Sequence, residues 1–432
     1  MTARRSTGRR RRSAAAAPRV GLFGLLGSGN IGNDASMESM LGYLRADHSD
    51  VVLDAMCKGP DGLRERFGVA AIPLNWYQKY EKQASGVSAI ALKALGKGVD
   101  VVRTASWVRR HDVVIVPGTG ILEASLPLRP WGMPYAMFSL CALGRLFGKK
   151  VALVSVGATV INQRPARWLL SSAARLAFYR SYRDAGSRDA MRQQGVDTTQ
   201  DHVYLDLAFG IPAPPYDPGD PQTVGVGVMD YRGANDDRGQ ADELHASYVE
   251  KMKSFILWLV DSGRRVRLLV GDTNNSDEGV VQEILADLRA DRPDLNPASV
   301  IAEPVSSFAE LIRAMAPVST VVATRFHNVI CALMLSKPTI SLGYSAKFNA
   351  LMAEMGLSEF CQSAGSLDVG RLVEQFTELE KRQAQLRQTI TERNMVNAQL
   401  VGDQFAELSA VLFPADGSVR AAAAREPALC GA

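Results

Sequence analysis

The chain has 432 residues, 47% hydrophobic and 22% charged, which fits a soluble globular protein too long for one hydrophobic core, so two domains are expected. The net charge of +4 comes from residues 1–19, which hold seven arginines and no acid; the remainder carries 42 basic against 45 acidic residues, which removes any case for nucleic acid from overall charge. No run of eighteen apolar residues exists to span a membrane, and five scattered cysteines without a CxxC spacing point to a reducing, cytoplasmic setting and no structural metal.

In chain order, residues 1–19 read as a disordered, arginine-rich tail, a solvated segment first of all, with contact to anionic lipid at a membrane surface or to a polyanionic substrate as the other reading. Arg19 interrupts the apolar run that follows, so residues 20–26 read as a first strand and not as a secretory signal. Gly27, Gly29 and Gly32 then form a GxGxxG turn into a helix, with Asp54 closing a strand some twenty residues on. That spacing suits a dinucleotide, but Asn30, Asn33 and Asp34 crowd the turn with polar groups a pyrophosphate does not need. A ligand loop and a structural turn both stay open. Residues 85–95 suit an amphipathic helix, and Trp76, Tyr77 and Tyr80 either cover the core or line a cleft.

After a strand at residues 113–116, Gly118 and Gly120 mark a turn on the ligand-bearing edge, with Glu123 at the cleft or at a helix start. Residues 133–148 read as helix and 151–156 as a central strand. Residues 163–182 form an amphipathic helix running into a strand; its arginines and aromatics suit a membrane surface or ordinary packing on a sheet. Arg183, Asp184 and Asp206 stand at strand ends and are cleft candidates.

Residues 211–222 hold five prolines and no periodicity, the clearest domain boundary. Beyond them, strand and helix alternate as in a second parallel sheet. Its centre is residues 318–347. A buried strand at 319–323 leads to Thr324 as N-cap, then Arg325 and His327 at a helix start, and Lys337-Pro338 ends that helix. A strand at 339–342 and the turn Gly343-Tyr344 lead to Lys347. Two cations, an imidazole and a helix N-terminus converging on one spot describe an anion site. Residues 367–413 read as a helical segment without chemistry and 414–432 as a loose tail.

Several turns, taken in order, resemble the polysaccharide pyruvyltransferases. The family's N-x-G-D-E loop corresponds to Asn30-Ile31-Gly32-Asn33-Asp34, its G-G-G-x-L turn to Gly118-Thr119-Gly120-Ile121-Leu122, and its R-D-x-x-S segment to Arg183-Asp184-Ala185-Gly186-Ser187. Its D-x-A-F segment begins at Asp206, and its R-L-H, G-x-P, G-Y and K block stands as Arg325-Phe326-His327, Ser336-Lys337-Pro338, Gly343-Tyr344 and Lys347. Asn33, Thr119 and Phe326 depart from that pattern. The resemblance implies an α/β fold of two Rossmann-like domains facing across a cleft, glycosyltransferase-B-like, at residues 20–210 and 223–366. It implies transfer of the enolpyruvyl unit of phosphoenolpyruvate to a sugar hydroxyl pair as a cyclic ketal, with no bound cofactor and no metal. His327 would be the general acid/base, and Arg325, Lys347 and Arg183 would bind phosphoenolpyruvate. Asn30, Asn33, Asp34, Gly118, Gly120, Asp184, Asp206 and Tyr344 would face a sugar acceptor, free or lipid-linked, on the N-terminal side. A nucleotide-sugar glycosyltransferase of the same architecture and a non-catalytic anionic-glycan binder are the rival readings. A Rossmann dehydrogenase is more distant, since nothing else supports the glycine-rich turn.

Overall fold

The computed structural model describes residues 17–77, 86–123, 129–233, 239–272 and 277–414, with backbone only for 86–94. Tyr80, Asn274, most of the arginine-rich tail and most of the C-terminal tail lie outside these residues.

The first sheet has seven parallel strands: β1 (Arg19–Gly24), β2 (Val52–Cys57), β3 (Ala70–Pro73), β4 (Val113–Pro117), β5 (Lys150–Val156), β6 (Tyr179–Tyr182) and β7 (His202–Val203). They lie in the order β3-β2-β1-β4-β5-β6-β7. The central strands are runs of small and β-branched residues because both faces are covered by helices. Those helices are α1 (Ile31–Asp47), α2 (Pro60–Phe67), α3 (Gly86–Arg109), α4 (Met133–Leu146), α5 (Arg164–Leu176) and α6 (Ala185–Gln193). The helix expected at 85–95 is the opening of the longer α3. The apolar stripe of α5, from Ala166 to Ala174, is buried inside the domain, so its amphipathic pattern is explained by packing.

The second sheet repeats the design with β8 (Asp220–Gly227), β9 (Arg265–Leu269), β10 (Val300–Ala302), β11 (Val318–Ala323), β12 (Thr339–Gly343) and β13 (Cys361–Ser363), in the order β10-β9-β8-β11-β12-β13. Its helices are α7 (Ala241–Asp261), α8 (Asp277–Asp291), α9 (Phe308–Met315), α10 (Phe326–Met334) and α11 (Ala346–Glu354). The last residues of the proline-rich stretch, from Asp220 on, already belong to β8. In each sheet the chain winds outward one way and then the other, so the order reverses between β1 and β4 and between β8 and β11. Ligands of such sheets bind beside the strand ends at that reversal.

The helical segment after residue 366 divides into α12 (Val369–Lys381) and α13 (Gln383–Leu412). Leu386 and Ile390 join the core of the second domain, whereas Leu408 and Leu412 join the core of the first. Thus α13 belongs to both. Gln404 Nε2 donates to Ser155 Oγ at 2.6 Å, and Tyr179 and Tyr204 both donate to Glu407. Lys150 Nζ takes the terminal carbonyls of Val411 and Leu412 at 2.9 and 3.0 Å, satisfying acceptors that a helix end leaves open.

Truncating Leu408, fully buried on the far side of this crossing, to alanine should lower unfolding free energy by about 2–5 kcal/mol. The exposed Met395→Ala on the same helix should stay within about 0.5 kcal/mol. Urea titration of both variants checks the pair.

Candidate active site

The two sheet reversals face each other, and Gly32 meets His327 in the gap between them. Gly32, in the first turn of α1, lies so near the His327 imidazole that a Cβ there would fall inside the contact shell of Nδ1. Only glycine fits. Asn30 caps α1 by accepting from the Asn33 amide at 3.1 Å, and its Nδ2 donates to Asp272 Oδ2 of the opposite domain at 2.8 Å. Asp34 points away from the cleft. Its two oxygens take the Gly27 amide at 2.8 Å and Arg66 Nη1 at 2.6 Å, which pins the glycine turn to α2. Burial pushes the Asp34 carboxyl up, against the pull of Arg66. Asn33 stays half-buried.

From the second domain, β11 delivers Thr324, Arg325, Phe326 and His327. The N-cap of α10 is Arg325 and not Thr324, because the fully buried Thr324 hydroxyl is shared with Tyr248 at 2.7 Å. No side chain caps α10, and none caps α11, whose N-cap is the exposed Ser345. Two neighbouring helices therefore present open amides. Arg325 sets Nε and Nη2 on the buried Asp277 at 2.8 and 2.6 Å. Burial works against its charge, but Asp277 outweighs it and raises the guanidinium's affinity for its proton.

Arg183 enters from the end of β6 and is buried. It donates to Glu123 and, at 3.1 Å, to Asp206 Oδ2. Glu123 also accepts from Lys347 Nζ at 3.2 Å, an ion pair across the cleft. Burial pushes Glu123 up, and Arg183 and Lys347 more than offset it, so its carboxyl sits below the usual range. Burial and then Arg183 pull Lys347 down, with Glu123 opposing. The Phe326 ring contacts both cations, 5.2 Å from Arg183 and 5.0 Å from Lys347 Nζ, which gives the departure from the family leucine a cation–π reason.

His327 Nε2 lies 3.8 Å from Asp206 Oδ2, beyond hydrogen-bond reach. Burial pushes Asp206 up, but His327, Arg183 and the Ala208 amide together hold it far below the usual range. Asp184 caps α6 through the Ser187 amide and hydroxyl at 2.6 and 3.0 Å, and so shapes the Arg183 turn. Gly118 (φ +54°) abuts Ser36, and a Cβ on Gly120 would reach the Glu123 carboxyl at 2.6 Å. Thr119 adopts φ +67°, a left-handed conformation that costs a side-chain residue roughly 1–2 kcal/mol. Tyr344 is 39% exposed, its ring 4.8 Å from Phe348.

Among the described residues, buried polar atoms without a partner gather here: Ser36 Oγ, Thr119 Oγ1, Arg183 Nε, His327 Nε2 and both amide atoms of Asn328. Others lie elsewhere among the described residues, at Ser171, Arg267 and Arg387 for example. Ser36 and Asn328 are members of this cluster that sequence reasoning does not place, whereas it leaves Glu123 open between the cleft and a helix start. For Glu123 the available signal was its position directly after the glycine turn.

The family model for polysaccharide pyruvyl transferase matches residues 30–346, the span that contains every residue of this cluster except Lys347. The chain belongs to that family. No curated protein matches it. Among solved structures, the family member is similar to UDP-GlcNAc 2-epimerase from Neisseria meningitidis bound to UDP-GlcNAc, at 11% identity and TM-score 0.55 over 90% of this chain and 99% of that one. It is also similar to S. aureus MnaA with UDP, at 10% identity and TM-score 0.57 over 92% and 98%. The N-terminal domain of Candida albicans trehalose-6-phosphate phosphatase aligns at 11% identity and TM-score 0.56 over 94% and 98%. At such identities the likeness concerns fold alone, and that fold is the two-domain, glycosyltransferase-B-like α/β arrangement.

Gly32→Ala should force the imidazole or the domains apart and remove most transferase activity while far-UV circular dichroism stays native; retention of full activity would show the contact to be dispensable. Because the Asp206 carboxyl is depressed in the fold, its stabilisation is complete above the ordinary aspartate pKa of about 3.9 and fades as pH falls below it. The stability gap between wild type and Asp206→Asn, followed by urea unfolding, should therefore narrow as pH drops below about 4.

Proposed function

We propose that this pyruvyltransferase uses phosphoenolpyruvate as donor and builds a cyclic ketal on two hydroxyls of a sugar, free or lipid-linked, releasing phosphate. The observation that carries the reading is the placement of His327 and Lys347 at the open amide ends of α10 and α11, opposite Arg183 and Glu123. A donor with a phosphate and a carboxylate needs convergent cations and helix-end amides. Lys347, the amides of α11 and the rim of Arg325 supply these. Arg183, compensated by two acids, orients Glu123 and Asp206 and does not offer a free charge.

In this reading His327 delivers a proton to the methylene carbon of the enol, leaving an oxocarbenium-like centre at the carbon that bears the phosphate. One sugar hydroxyl forms a C–O bond there and its proton passes to His327, restoring the acid. The second hydroxyl then forms the other C–O bond as the bond to phosphate breaks, its proton leaving with the phosphate, and the ring closes. Carbon is neither oxidised nor reduced overall. Asp206 stabilises the charged imidazole from 3.8 Å, a separation that the arriving donor can shorten. The acceptor approaches from the N-terminal domain, where Asn33, Ser36 and Thr119 border the site.

The deciding assay is phosphate release from phosphoenolpyruvate with a panel of lipid-linked hexosides, read together with the mass gain of the acceptor. His327→Ala should cut turnover by about 10²–10⁴ without loss of fold, whereas Lys347→Ala should chiefly raise KM for the donor. Thermal stabilisation by a nucleotide sugar and none by phosphoenolpyruvate would instead favour a glycosyltransferase.

A further inference from the structure

The outer layer formed by α3, α4 and α5 has a character unlike the rest of the surface. Between Glu123 and Asp184 the sequence carries nine lysines and arginines and no acid. The chain without its first 19 residues has, by contrast, a small excess of acids. Five of the nine, Arg129, Arg145, Arg164, Arg167 and Arg175, are exposed. Beside them stand large apolar side chains that the core does not use. Trp131 is 68% exposed and Trp168 is 59% exposed, with Leu146, Phe178 and Val102 also facing out.

These side chains form a connected band. The helices pack side by side, α3 on α4 and α4 on α5. Trp168 leans on Phe138 at 5.2 Å, Trp131 on Tyr135 at 5.9 Å, and Arg109 covers Phe147 at 5.0 Å. The apolar stripe of α5 is already spent inside the domain. What remains outside is indole and guanidinium, a combination suited to the boundary between headgroups and acyl chains.

We propose that this helical face docks on a bilayer surface bearing anionic phospholipid headgroups. Arginines near such a surface gain from its negative potential, and tryptophans settle at the headgroup level. A second copy of the chain fits poorly, since two identical faces whose α4 and α5 carry arginines and no acid would repel when brought together. The band also reaches the sheet edge that carries the cleft: Trp131 just precedes α4, which begins on the carboxyl-end side of β4. Docking there holds the lip of the active site against the membrane. Vesicle binding needs no catalysis, so the inference and the donor assignment stand or fall separately.

The test is flotation of the full-length chain with vesicles of phosphatidylcholine alone and of phosphatidylcholine with about one-third phosphatidylglycerol. The protein should float with the anionic vesicles only, and binding should weaken between about 0.1 M and about 1 M salt as the Debye length shortens. The pairs Trp131→Ser/Trp168→Ser and Arg164→Glu/Arg167→Glu should each lower the bound fraction about tenfold or more, with circular dichroism and turnover on a water-soluble acceptor unchanged. Replacing Arg9, Arg10, Arg11 and Arg12 by serine should leave most binding in place. Loss of binding in the tail variant alone, with both face variants unaffected, would overturn the proposal. So would absence of vesicle binding, or a dimer in sedimentation velocity that the face variants dissolve while vesicle binding is absent.

Discussion

Arg183 is the constraint on which the site depends. A guanidinium buried on all sides is tolerated only if acids meet it at close range, because desolvating an unpaired charge costs several kcal/mol. Glu123 and Asp206 meet that need from the turns after β4 and β7. Each acid then has a second partner in the opposite domain: Glu123 holds Lys347, and Asp206 faces His327. One buried charge thereby sets the position of both residues assigned to the chemistry. The Phe326 ring lies within cation–π range of both Arg183 and Lys347.

A charge network across a cleft requires domains that return to one relative placement. The Gly32–His327 contact and the Asn30–Asp272 hydrogen bond act at the cleft itself. At a distance, α13 ties the two cores, with Leu386 and Ile390 in one and Leu408 and Leu412 in the other. The helix looks chemically empty because its work is mechanical. Glu407, Gln404 and the helix-end carbonyls bind tyrosines, Ser155 and Lys150 of the first sheet, all polar contacts that fix register more than they add stability.

The doubly wound halves were legible because apolar strand runs and glycine-rich turns carry their own period and chemistry, as at residues 113–120 and 318–347. His327 and Lys347 were legible as well, standing where a helix begins after a strand. The charge partners were not. Asp277 lies 48 residues from Arg325 and Glu123 lies 224 from Lys347, and no local pattern encodes such pairing. Hence the two-cation anion site read from residues 325–347 is, in three dimensions, a compensated network. The polar residues of the first turns carry structural contacts that spacing did not reveal. Asn30, Asp34 and Asp184 occupy ligand-edge positions, yet each spends its side chain on backbone amides, Arg66 or the opposite domain. Caps and ligands draw on the same short polar residues, so spacing alone cannot separate them.

Compensation also determines which anions the site favours. A singly charged anion approaching Lys347 gains one attraction and meets the repulsion of Glu123 at nearly the same range, so the net gain is small. A ligand with two anionic ends escapes that balance. One end can lie on the open amides of α11, where no acid caps the helix, while the other reaches the amides of α10 beside His327. The amides carry partial charges that no side chain neutralises, so they reward the second group in full. In a network where each of the cations Arg183, Lys347 and Arg325 has an acid partner, the open amides are thus the groups that reward a second negative end. The phosphoenolpyruvate proposed as donor carries two such ends, phosphate and carboxylate.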